Sequence, residues 1–123
     1  MIITNLKTET DAQELGNHAF LDKHQLSGDV RFLSMRLAVA RGQSREDRKG
    51  SVNLVYGTSI LDEDASEVLR TLKTVTKLAL DYPLKGEYQE VYGNVIPHGP
   101  YLYFWLELPF KGVDFRVDLI EFD

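Results

Sequence analysis

The sequence predicts an α+β fold, an antiparallel sheet with one long helix packed on it. Three observations carry this expectation. Tyr101–Phe110 and Val113–Phe122 are runs rich in aromatic and β-branched residues, set on either side of Lys111-Gly112. Residues 30–41 and 51–60 alternate apolar and small or polar positions in the same way. Asp62–Tyr82 instead repeats its apolar residues at helical spacing.

Taken in order, Met1–Leu6 reads as a short strand. Thr10 followed by Gln13 resembles a capping box and opens a helix over 10–24, with Ala12, Leu15 and Ala19 near one stripe. Ser27-Gly28-Asp29 breaks the chain. In the next segment Leu33, Met35, Leu37 and Val39 alternate with Ser34, Arg36, Ala38 and Ala40, a period of two that favours strand over helix. Val52, Leu54 and Tyr56 do likewise, so residues 30–60 are expected to form an antiparallel hairpin.

The helix over 62–82 rests on Ala65, Val68, Leu69, Leu72, Val75, Thr76, Ala79 and Tyr82 as one stripe. Asp62, Glu63, Asp64 and Glu67 sit at its N-terminus, where the macrodipole favours anions, and Pro83 ends it. Residues 87–122 are expected to form a three-stranded meander, turning at Pro97-His98-Gly99-Pro100 and at Lys111-Gly112. A two-residue turn at Lys111-Gly112 places Leu108 opposite Phe115, Leu106 opposite Val117 and Phe104 opposite Leu119. That apolar face is the expected seat of the helix stripe. The other face opposes Glu107 with Arg116, an opposite-charge pair that supports the register. Val55-Tyr-Gly-Thr-Ser-Ile60 echoes Val91-Tyr-Gly-Asn-Val-Ile96, and either Gly is a candidate for close backbone approach.

The whole chain, residues 1–123, reads as one domain, with 43% hydrophobic and 27% charged residues, ordinary for a soluble protein. No apolar run approaches the ~20 residues of a membrane span. The N-terminal residues lack the basic and long apolar regions of a signal peptide. With zero cysteines, disulfides and thiolate sites are excluded, which fits a cytoplasmic protein. The net charge of −5 argues against broad nucleic-acid coating.

Two candidate surfaces emerge. The second face of the meander carries Tyr92, Tyr101, Tyr103, Trp105 and Phe122, together with Ile96 and Ile120. Tyr and Trp are enriched where proteins meet, so this face is the expected site for a protein partner or a second copy. The alternative is a phosphate, nucleotide or RNA site around the basic loop 41–50, with Arg36, Arg41, Arg45, Arg48 and Lys49 as ligands. Glu46 and Asp47 weigh against it, and the loop has no P-loop pattern. His18 with Asp22 is too sparse for a metal site, and a small-molecule pocket between helix and sheet using Glu90 or Glu107 with Arg116 for acid–base work is a third reading, the least supported. No nucleophile has a paired base. The expectation is a non-enzymatic interaction protein, an adaptor, inhibitor or immunity-type partner, with no cofactor, no metal and no catalytic residue.

Overall fold

A computed structural model describes residues 1–14, 19–28, 32–41, 48–60, 62, 75–84 and 87–122. Eight strands make up the described structure: β1 (Ile2–Ala12), β2 (Ala19–Gln25), β3 (Phe32–Arg41), β4 (Ser51–Ser59), β5 (Thr76–Asp81), β6 (Tyr88–Val95), β7 (Tyr101–Glu107) and β8 (Val113–Phe122). They form two four-stranded antiparallel sheets, β1-β8-β3-β6 and β2-β7-β4-β5, here called sheets A and B. The chain changes sheet at every connection except β4 to β5. Two sheets wound in this order make a double-sheet jelly roll, an all-β architecture.

The core lies between the sheets. Sheet A contributes Leu33, Met35, Leu37, Val39, Val113, Phe115, Val117 and Leu119, and sheet B contributes Val52, Leu54, Tyr56, Leu102, Phe104 and Leu106. Each set comes from alternate positions, as a strand with one core face requires.

This corrects the predicted α+β class, because no described residue is helical. The C-terminal third of the expected 62–82 helix is β5. It pairs with β4 from Ser51 opposite Asp81 to Tyr56 opposite Thr76. Leu78 and Leu80 pack against the core, while Lys77, Ala79 and Asp81 point out. A period of two was embedded in a run that also satisfied helical spacing. Residues 63–74, which carried most of the helical stripe, lie outside the described residues. The helix expected over 10–24 is replaced by the end of β1 and by β2. Ala12 is a buried core residue at the end of a strand.

The expected strands of 30–60 and 87–122 exist, but their pairings do not. β3 pairs with β8 and β6, and β4 pairs with β7 and β5. β7 and β8 also lie in different sheets. Gly112 does adopt the left-handed backbone expected of it, with φ of 88°. The segment 108–112 is an arch between sheets rather than a hairpin turn, with Leu108 buried inside it. Its Gly112 amide donates to the Ala12 carbonyl at 2.7 Å. Stacked sheets sit about 10 Å apart, a gap five residues span easily. Physically, the two apolar faces solve each other's problem: side by side they need a third layer, whereas face to face they bury one another.

The expected turn at residues 97–100 connects β6 to β7 across the sandwich. It is held to the end of β4 by the His98 amide, which donates to Thr58 Oγ1 at 2.8 Å. The echoed segments face opposite ways. Tyr56 points into the core and Tyr92 points out; Gly93 instead points in, beneath the Tyr56 hydroxyl and Leu78.

Candidate functional site

The outward face of sheet A can be laid out from its registers. At one end Phe122 opposes Phe32, with Ile96 just past the end of β6. The next row runs Ile3, Ile120, Ser34, Asn94, and the row after it Asn5, Asp118, Arg36, Tyr92. Arg116, Ala38 and Glu90 follow, then Asp114, Ala40 and Tyr88. The face is therefore apolar at one end, ionic in the middle and aromatic along the β6 edge.

Asp118 anchors the middle. Its side chain is 0% exposed although it points away from the core. Arg36 donates from Nε and Nη2 to Oδ2 at 3.1 and 2.7 Å, Arg116 Nε donates at 2.9 Å, and Asn5 Nδ2 donates to Oδ1 at 3.1 Å. Burial pushes the carboxyl pKa up, but the hydrogen bonds from Arg116, Arg36 and Asn5 outweigh it, and the net direction is down. The Arg36 guanidinium lies 5.9 Å from the centre of the Tyr92 ring. Tyr92 and then Asp118 raise its pKa above the usual arginine value. Glu90 accepts from both Tyr92 (2.8 Å) and Tyr88 (3.1 Å). Burial, with help from Glu90, raises the Tyr88 hydroxyl pKa. Engaged by donors on both oxygens, Asp118 holds Arg36 and Arg116 in place.

The apolar end is open. Phe32 is 66% exposed, Ile96 76% and Phe122 40%. Between them lies a groove of about 680 Å³ lined by Phe32, Asn94, Val95, Ile96, Pro97 and Phe122. Ile3, opposite Ile120, extends the exposed apolar surface along β1.

The predicted aromatic set is divided between the two sheets. Tyr92 and Phe122 lie on the outer face of sheet A. Tyr101, Tyr103 and Trp105 lie on the outer face of sheet B, where Tyr103 is opposite Gly57 and Trp105 opposite Val55. That side of sheet B is closed around Tyr103, which is fully buried, and Val55 is nearly so. Lys23, paired with Tyr103 on β2, reaches Asp62 at 2.6 Å. Glu107 is not paired with Arg116; it lies 3.7 Å from Lys77.

The predicted phosphate ligands are also dispersed. Arg36 is engaged by Asp118. Arg41 is at the far end of β3, beside Val113. Arg48 stacks 5.1 Å from the centre of the Phe110 ring and is exposed, as is Lys49. Arg45 lies outside the described residues. Phe32, Ile3 and the Asp118 cluster were missed by sequence reasoning. Alternation alone puts Phe32, Ser34 and Arg36 on one side of β3, and Arg116, Asp118, Ile120 and Phe122 on one side of β8. The signal for a shared face was present, but the β3–β8 pairing was not.

Among the described residues no three His, Asp or Glu side chains gather as a metal site. Among the described residues no helix is long and apolar enough to cross a membrane. No model of a known protein family, no curated protein and no solved structure matches the chain.

Proposed function

We propose that the protein is a non-enzymatic interaction domain that binds a protein partner through the apolar end of the outer face of sheet A. The single observation behind this is the row Phe122–Phe32–Ile96, three large apolar side chains left in water around one groove. Contiguous exposed apolar surface rimmed by polar residues is a form that protein interaction sites take. The fitting occupant is a loop or extended segment with one or two apolar side chains. Asn94 in the groove wall is the polar group that orients its backbone. The braced Arg36 and Arg116 form the polar rim, the arrangement of a protein interface. The cysteine-free composition fits a reducing compartment, and the cytoplasm is the proposed location.

The test is affinity capture from native lysate with the wild type and with Phe32→Ser/Ile96→Ser, read by quantitative mass spectrometry. Both positions are mostly exposed, so the double variant is expected to keep its circular dichroism spectrum. A partner enriched by the wild type and lost from the variant is the expected result. If every enriched protein is retained equally by the variant, this end of the sheet is not the interface.

A further inference from the structure

We infer that the edge of β6 that has no strand beside it among the described residues pairs antiparallel with β6 of a second copy, joining two A sheets into one continuous eight-stranded sheet. The inference rests on the edge strand rather than on the apolar groove, and stands or falls separately from the partner site above.

Four strands lie at sheet edges: β1, β6, β2 and β5. Three are protected in the ways edges usually are. The β1 register is broken between Asn5 and Lys7 and between Glu9 and Ala12, with Asp11 in a left-handed conformation. The β2 register is broken between Ala19 and Asp22. β5 is six residues long and carries Lys77 and Asp81. β6 has none of these defences. Its pairing with β3 runs without interruption from Leu33 opposite Val95 to Ala40 opposite Tyr88, and its one charge is Glu90. Most of its residues are exposed, including Tyr88, Gln89, Glu90, Tyr92 and Asn94.

The backbone geometry indicates which groups are available. Ser34 Oγ on β3 donates to the Gly93 carbonyl at 3.2 Å, so that carbonyl is directed toward β3. Along an antiparallel strand, backbone groups alternate between the two neighbours. The amides and carbonyls of Tyr88, Glu90, Tyr92 and Asn94 therefore point to the open side.

A second copy is the occupant because the strand is complementary to itself. Opposed residues in an antiparallel pair share a face, so a two-fold axis must fall on a residue. An axis at Glu90 opposes two carboxylates. An axis at Val91 opposes Glu90 with Tyr92 of the second copy, and Tyr88 with its Asn94. Every outward pair is then carboxylate with phenol or phenol with amide, and no like charges meet. Glu90 already accepts from Tyr92 and Tyr88 in its own strand, so the donor chemistry is suited to it. Val91, partly buried against the core, meets its own copy on the inner side.

The experiment is sedimentation equilibrium on the full chain, with Tyr92→Glu and Tyr92→Lys. Tyr92 is half exposed, and melting curves check that both variants fold. In the Val91 register, Tyr92→Glu faces Glu90 of the second copy and weakens dimerisation about tenfold. Tyr92→Lys faces the same carboxylate and keeps or tightens the dimer. Amide hydrogen exchange is the second reading: protection at Glu90 and Tyr92 should rise with protein concentration. A monomeric wild type, equal behaviour of the two variants, or protection that appears only when another protein is added overturns the inference. Phe32→Ser/Ile96→Ser leaves the dimer intact, which separates this result from the partner site.

Discussion

Arg36 and Asp118 stand directly opposite each other on β3 and β8, with Nη2 and Oδ2 2.7 Å apart. The carboxylate is sealed from water while the two arginines that hold it are partly solvated. This asymmetry decides the cost of disrupting the cluster. Replacing Asp118 by Asn keeps the shape but removes the charge that three donor side chains converge on. Stability should fall by about 2–3 kcal/mol, because breaking a buried charge-assisted network leaves unpaired groups behind. Urea unfolding of Asp118→Asn against the wild type measures it. A loss no larger than that of an exposed Asp→Asn change would show that the cluster does not brace the sheet.

The same cluster sets an acid limit. The folded pKa of Asp118 lies below its ordinary value of 3.8. A depressed carboxyl contributes stability that is fully present above the unfolded pKa and is lost as pH falls through the folded one. Its contribution is thus constant near neutrality, starts to decline near the ordinary aspartate value and is gone below the folded pKa. Melting temperatures of the wild type and Asp118→Asn should converge as pH is lowered through that window. Parallel curves would count against it.

Gly99 sits with its Cα against the backbone of β4. A Cβ there would lie 2.2 Å from the Ser59 carbonyl oxygen and 2.4 Å from the Ile60 nitrogen. Neither is the end of a flexible side chain, so the 97–100 turn itself must move. Gly99→Ala should cost about 3 kcal/mol or more, at the upper end of overpacking effects. Gly28→Ala, where nothing lies within 4 Å of the added carbon, is the matched control for space.

Tyr56 is buried in the core, and among the described residues its hydroxyl has no hydrogen-bond partner. Burial accordingly raises its pKa. Removing an unsatisfied buried hydroxyl relieves a desolvation penalty. Tyr56→Phe should therefore be neutral or stabilise by about 1 kcal/mol, against the usual trend for core substitutions. Thermal melts of the two proteins decide it, and a clearly lower melting temperature would mean that the hydroxyl is satisfied in solution.

The strands were legible where one face is apolar and the other is not. The alternation in 33–39, 52–56, 102–108 and 113–119 correctly separated core positions from outward ones. Gly112 was legible as a left-handed turn residue because few other side chains tolerate that backbone. β5 was misread because Leu72, Val75, Thr76 and Ala79 satisfy a helical stripe, while Leu78 and Leu80 satisfy a strand. Tertiary pairing with β4 overrode the local preference. β2 was hidden by a capping pattern and by weak alternation.

The candidate site was legible only in pieces. Tyr92 and Phe122 were assigned to a shared outward face, and both lie on sheet A. Tyr101, Tyr103 and Trp105 would share that face only if β7 and β8 were neighbours, and the two strands lie in different sheets. Phe32 gained its significance only from its pairing with Phe122.

By itself the sequence determined which residues point inward, because side-chain alternation is a local property of an extended chain. Which strands sit side by side was decided by the tertiary structure. Two apolar faces joined by a short arch can lie in one sheet or face each other across two, and their alternation is the same either way. What separates the alternatives is whether both faces are covered without a third layer. Stacking the sheets achieves that, and it sends Phe32, Ile96 and Phe122 to one end of sheet A and Tyr103 into the closed side of sheet B.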